Sequence, residues 1–275
     1  TATTMPGALC ADDETVARAL LDQGSEIAQK KGAKQLVLQD TRQSWPGDFT
    51  TTTQHEEWLV EVGDDEEAMS ARLHRNIRRQ VRMAERNGLT AEVDRTGALL
   101  DDFYSVLSRF THQAGTPVFG RDFLKNIIAL FPDGFNIVVV RHEQEPIGAY
   151  FQLEMGDTVH GAWGATLHEY LELRPVYLAY WTTIVDAIAH GFPKLNMGRS
   201  PADSNASKFK GQWGGVARPV YQQVLGLREQ AVTSSVVDQA QSDAKFRSFR
   251  QIWPRVPFPI AQFLGPKLRR HVPFA

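Results

Sequence analysis

NIVVVRHEQEPIGAYFQLEMGDTVHGAWG, residues 136–164, reads as three antiparallel strands in succession. The strands are 136–140, 146–154 and 158–164; HEQE makes the first turn and Met155-Gly156-Asp157 the second. A meander of this kind needs helices or further strands to cover it, and the flanking sequence supplies both. Downstream, 172–190 reads as a long helix closed by Gly191, and 194–197 as a strand that feeds a polar loop. Residues 218–225 form the last strand. Upstream, 98–113 and 121–130 read as two helices split by Gly115-Thr116-Pro117.

The first part of the chain repeats the helix-then-strand order. Residues 13–31 form a helix with Val16, Ala19, Leu20 and Ile27 at helical spacing, and 34–39 a short strand. Residues 55–62 alternate as a second strand. Residues 64–88 read as one helix, acidic at its start and arginine-rich further on, ended by Asn87-Gly88. A strand at 89–94 follows. Two helix-plus-strand units, a meander and further strands predict an α/β fold on a mixed sheet. Residues 229–244 are polar with helical character, and 253–273 are rich in proline.

Composition bounds the function. The 275 residues carry 30 Lys and Arg against 32 Asp and Glu, a net charge of -2, with 42% hydrophobic residues. This is enough chain for a sizeable core and gives no bulk attraction to nucleic acid, so DNA is not an expected partner. A single cysteine, Cys10, excludes an internal disulfide framework and a cysteine-based metal site. No apolar run approaches the ~20 residues of a membrane helix, and TATTMPGALC lacks a signal-peptide layout; the expected location is the cytoplasm. There is no GxGxxG after a strand, no P-loop, no HExxH and no GxSxG elbow, and six histidines between His74 and His190 show no metal-ligand spacing. No metal is expected.

The motifs with chemical content cluster late in the chain. MGRS at 197–200 is followed by SKFKGQWGG at 207–215. This pair resembles the G-R-S and F-K-x-x-[FW]-G pattern of the FemAB family. RNIRRQVRMAERNGL (75–89), GTPVFGRDFL (115–124), PIGAYFQLEMGD (146–157) and GAWGATLHEYLELRPVYLAYW (161–181) fit the same family in the same order. IWPRVPFPIAQFLGP (252–266) is similar to the tail of its members found with PEP-CTERM and exosortase exopolysaccharide systems. The resemblance implies a tandem GNAT-like acyl-CoA N-acyltransferase fold. Residues 1–95 would be a first half, read as incomplete because a helix and strands expected before Thr1 are missing. Residues 96–228 would be the second domain, and 229–275 a polar and then proline-rich strap or docking segment. It further implies transfer of an acyl or aminoacyl group to an amine of a small-molecule or lipid-linked envelope precursor. The donor would be acyl-CoA or aminoacyl-tRNA, making tRNA a conditional partner, with no tightly bound cofactor; peripheral membrane contact is compatible with such an acceptor. The coiled-coil arm of some tRNA-using members has no counterpart here, and the usual GNAT pyrophosphate loop, Q/R-x-x-G-x-G/A, is also absent. A plain acyl-CoA enzyme and a silent saccharide- or lipid-binding protein on the same fold are the alternatives.

The resemblance makes Lys210 the catalytic candidate, a point charge for the donor or the developing oxyanion. Arg199 offers a planar fork for phosphate or carboxylate, and Lys208 adds charge nearby. Trp163, Tyr170, Tyr177, Tyr180 and Trp213 either wall a pocket or pack as core. Arg174 precedes Pro175 at a helix start, where backbone N–H groups attract anions unless the site is merely an ordinary cap. Arg75, Arg78, Arg79, Arg82 and Arg86 share one helix face. Such a run is either a solvated face paired with acids or a binding surface for an anionic substrate, and the family motif singles out Arg78 and Arg79.

Overall fold

A computed structural model describes residues 2–3, 9–227 and 244–269. They form two compact units: Thr1–Trp58 with Arg199–Lys208 and Ala217–Asp243, and Leu59–Gly198 with Phe209–Val216 and Ala244–Ala275, each counted over its described residues.

In the first unit, β1 (Ala2–Thr3) pairs parallel with β2 (Gln35–Asp40). β2 pairs antiparallel with β9 (Val216–Gly226), beside which lies β3 (Thr50–Glu61). Helix α1 (Glu14–Lys30) is opened by Asp13, whose carboxylate accepts from the Val16 amide at 2.9 Å. The expected stripe on α1 is wrong by one residue of rotation. Ala17, Leu21 and Ala28 are buried, while Val16, Leu20 and Ile27 are exposed. Two of the three inward residues are alanines, and they let the helix sit close to Leu36 and Leu38 of β2. β3 is longer than expected because the threonine run 50–53, β-branched throughout, joins the strand.

In the second unit the strands run in the order β8-β7-β6-β5-β4. These are β4 (Leu89–Asp94), β5 (Phe135–His142), β6 (Glu145–Met155), β7 (Thr158–Thr166) and β8 (Lys194–Pro201). The meander is antiparallel throughout, and β8 joins β7 in parallel. Residues 135–140 are buried without interruption, so β5 is covered on both faces. One face carries α4 (Leu100–Gln113), whose Phe103 packs edge-on against Phe151 of β6. The other carries α6 (Pro175–Ala189), with Leu178 and Ala179 against Val140 and Ile147. α5 (Arg121–Leu130) buries Leu124 in the same core as α4. The result is the mixed α/β fold expected.

The largest differences from expectation concern helices. The single helix over 64–88 is two: α2 (Glu66–Arg72) and α3 (Arg75–Arg86). Leu73 is buried with extended backbone, and the His74 ring accepts from the Asn76 amide at 3.2 Å, restarting the helix. The helix expected at 172–190 begins at Pro175; His168–Leu173 is a 3₁₀ turn that ends with Arg174 in the left-handed region. The polar loop after β8 contains α7 (Asn205–Gly211). Of the polar stretch 229–244, residues 229–243 lie outside the described residues; Ala244 opens α8 (Ala244–Ile252). A 3₁₀ turn at Trp253–Arg255 and α9 (Phe258–Arg269) follow, and Trp253 is buried. Among the described residues no helix is long and apolar enough to cross a membrane, and no group of three or more His, Cys, Asp or Glu could hold a metal ion.

Candidate functional site

In the second unit, β7 and β8 pair only from Thr158/Lys194 to His160/Asn196. Beyond that point the regular pairing stops, although a Cβ at Gly198 would still lie 3.3 Å from the Gly161 carbonyl oxygen. On the other edge of β7 the register with β6 slips between Phe151 and Gln152, leaving Ala162 as an extra residue. A bulge of this kind bends a strand and re-aims its side chains. β8 turns at the same level: the Asn196 side chain accepts from the Gly198 amide at 2.8 Å, and Gly198 takes φ 72°. Only glycine adopts that conformation at little cost. The Gly198 carbonyl, released from the ladder, accepts from Lys210 Nζ at 2.8 Å, and Lys210 is only 8% exposed. The expected catalytic lysine is thus held where the ladder between the two strands ends.

Around α6 the first-turn amides have no side-chain cap. The strained Arg174 is fixed from below, where Asn87 Nδ2 donates to the Leu173 carbonyl at 3.3 Å. Such an uncapped N-terminus attracts anions. Along α6, Tyr177 and Tyr180 pack against Phe209 and Trp213, with ring centroids between 5.3 and 6.4 Å. Trp213 is 1% exposed and its indole N–H has no partner, so it is core rather than pocket wall. Tyr150 of β6, a residue the motifs did not flag, lies 5.8 Å from Tyr180 and shares a 2.8 Å hydrogen bond with Thr166 Oγ1. Desolvation pushes the Tyr180 phenol to about 12 and the Tyr150 phenol upward as well, with Tyr180 adding to the effect on Tyr150. Both stay protonated at neutral pH and can donate but not act as bases. Strands β6 and β7, helix α6 and the C-terminal part of α7 therefore bring Lys210, Tyr177, Tyr180 and Trp213 together.

Two expected residues lie elsewhere in the unit. Trp163 packs within Phe119, Phe123 and Phe151, and Tyr170 donates to Glu145 at 2.6 Å.

The arginine face of α3 forms a second feature. Ile77, Val81 and Ala84 point inward. None of Arg75, Arg78, Arg79, Arg82 or Arg86 has an ion pair among the described residues; Arg79 instead bonds Asn76 at 3.1 Å. Arg78 and Arg82, one turn apart, line a cavity of about 190 Å³ with Ser70, Leu73, Glu85 and Trp181. The Arg78 Nε is buried there without a partner.

In the first unit, Arg199 is exposed and donates to Gln39 Oε1 at 2.8 Å, and Lys208 is exposed on α7. Ser207 is buried, and its hydroxyl donates to Glu56, which also accepts from the Trp58 indole at 3.1 Å. Glu56 is a carboxylate the motifs did not flag; its alternation within β3 gives no sign that it meets Ser207.

A family model described as an acetyltransferase (GNAT) domain matches residues 71–210. No curated protein sequence matches the chain. Among solved structures, the C-terminal domain (DUF2156) of an Agrobacterium fabrum protein assigned as a lysylphosphatidylglycerol synthetase is similar with a TM-score of 0.61 at 16% identity, over 85% of this chain and 78% of that one. FemX is similar with a TM-score of 0.56 at 14% identity, over 76% and 77%. A tandem GNAT protein from the clavulanic acid biosynthesis pathway is similar with a TM-score of 0.50 at 11% identity, over 80% and 72%. At these identities the likeness is one of fold.

Proposed function

Because the chain belongs to the GNAT acetyltransferase-domain family, we propose that it transfers an acyl or aminoacyl group to an amine of an anionic cell-envelope or exopolysaccharide precursor. GNAT domains take acyl-CoA as a donor substrate and not as a tightly bound cofactor. The observation that carries the reading is the end of the β7–β8 ladder at His160/Asn196, with the buried Lys210 ammonium held at the Gly198 carbonyl just beyond it.

Acyl transfer to an amine passes through a tetrahedral oxyanion. The amine nitrogen bonds to the acyl carbon and loses a proton, and the leaving group departs with one. Lys210 is the cation assigned to the oxyanion, working in a setting where water screens it little. The uncapped α6 N-terminus and Arg174 are assigned to anionic groups of the donor. Arg78 and Arg82, with Arg79 beside them on the helix, are assigned to phosphate or carboxylate on the acceptor; within the first unit, Arg199 and Lys208 are assigned to binding an anionic group. Tyr177 contributes the packing that holds α6 against α7. An envelope component as acceptor is supported by the same fold in the protein assigned as a lysylphosphatidylglycerol synthetase.

The test gives purified protein acyl-CoA and aminoacyl-tRNA donors with amine acceptors. At least one donor should turn over, and Lys210→Ala should lose about 10²–10³ in rate, the loss typical of removing one oxyanion donor. A Lys210→Ala protein that folds and retains full rate would end this assignment.

A further inference from the structure

We propose that the C-terminal helical segment, α8 to α9, docks the protein on an anionic lipid surface. The first observation is charge. Residues 244–275 contain seven basic residues and no Asp or Glu, whereas the 243 residues before them carry 23 basic and 32 acidic. Arg255, Lys267 and Arg269 flank or lie on α9 itself. An acidic body with one purely basic segment directs that segment at a negative partner.

The second observation is an inverted helix. α9 turns its small residues, Ala261 and Gly265, toward the body and its large ones outward. Gly265 lets the helix approach closely, since a Cβ there would lie 3.3 Å from the Val118 backbone. The outer stripe is Ile260, Phe263 and Leu264, at i, i+3 and i+4; Phe263 is 67% exposed. Lys267 continues the stripe, with its ammonium 4.2 Å over the Phe263 ring. Ile252, at the end of α8, is 58% exposed as well. Large aromatic and aliphatic side chains facing out among lysine and arginine suit the boundary between headgroups and acyl chains. The charge selects this occupant over a second copy of the chain, whose matching face would be equally positive. The surface is separate from the proposed transfer site, so either reading can fail alone.

Co-sedimentation with vesicles decides it. The intact chain should bind phosphatidylcholine vesicles containing roughly one third phosphatidylglycerol at least tenfold better than phosphatidylcholine alone, and lose that preference at high salt. Lys267→Gln should weaken binding roughly fivefold. The double variant Ile260→Ser/Phe263→Ser should weaken it at least about tenfold with an unchanged melting temperature, because both side chains are exposed. Transfer to a soluble acceptor should be unaffected by either variant. Equal binding to both vesicles, no binding, undiminished binding by the double variant, or a wild-type dimer that the double variant dissolves would each overturn the proposal.

Discussion

The second unit holds two populations of arginine, and they behave oppositely. Arg95, Arg109 and Arg141 each bridge two carboxylates. Arg95 reaches Glu154 at 2.6 Å and Asp186 at 2.5 Å; Arg109 reaches Glu145 and Glu169; Arg141 reaches Glu92 and Asp102. The five arginines of α3 reach no carboxylate among the described residues, although the chain has more acidic than basic residues overall. A guanidinium bonded on both prongs is already committed to the fold. Arg78 and Arg82 hold no ion pair among the described residues and line a cavity, so their guanidiniums are not committed to a carboxylate of the fold. The difference is the reason α3 is proposed as a binding face, which its spacing alone leaves undecided.

The sharpest way to break this comparison is to remove one member of each population. Arg95→Ala leaves Glu154, whose side chain is 3% exposed, charged and without its cation. It should cost about 3–5 kcal/mol in urea unfolding. Arg78→Ala should change stability by less than about 0.5 kcal/mol, since it deletes an unmet donor and no ion pair. Its effect should fall on substrate: KM for an anionic acceptor should rise about 10- to 100-fold with kcat little changed, the signature of lost uniform binding. If Arg78→Ala destabilises as much as Arg95→Ala and leaves KM alone, α3 is structural.

The same contrast explains what was legible in the sequence. The meander is readable because its strands are local, joined by two-residue turns at 143–144 and 156–157. α5 and β4 were read to the residue for the same reason. α1 reads as a helix but rotated, because Val16, Leu20 and Ile27 make the more apolar stripe while two of the three residues it buries are alanines; burial follows the fit against β2. The break at Leu73-His74 is invisible to periodicity, since Leu73 still falls at an apolar position. At the candidate site, Lys210 is proposed from its motif, while nothing in the motifs points to Tyr150 beside Tyr180. Its signal was available only as glycines on the partner strand: Gly164 sits directly opposite Tyr150 in the β6–β7 register. The pairing state of an arginine is a long-range fact, as the separation between Arg95 and Asp186 shows, and no local pattern encodes it.

Within the paired population, burial should grade the effect, and Arg109 supplies the smallest case. Its own side chain is 31% exposed and that of Glu145 is 44% exposed, so water and salt screen the pair. Arg109→Ala should cost less than about 1 kcal/mol. The Arg109 hydrogen bond, followed by that from Tyr170, holds the Glu145 carboxyl below its usual range. A carboxyl depressed in the folded state stabilises above its unfolded pKa, about 4.3. That contribution is lost as pH falls through the lower folded value. The gap between wild type and Arg109→Ala should therefore be present at neutral pH, close on acidification, and shrink in high salt. The Arg95→Ala gap should persist in the same salt, because Glu154 is buried. If instead the two variants respond to salt alike, burial is not what separates these pairs, and the stability half of the comparison fails while the α3 half stands.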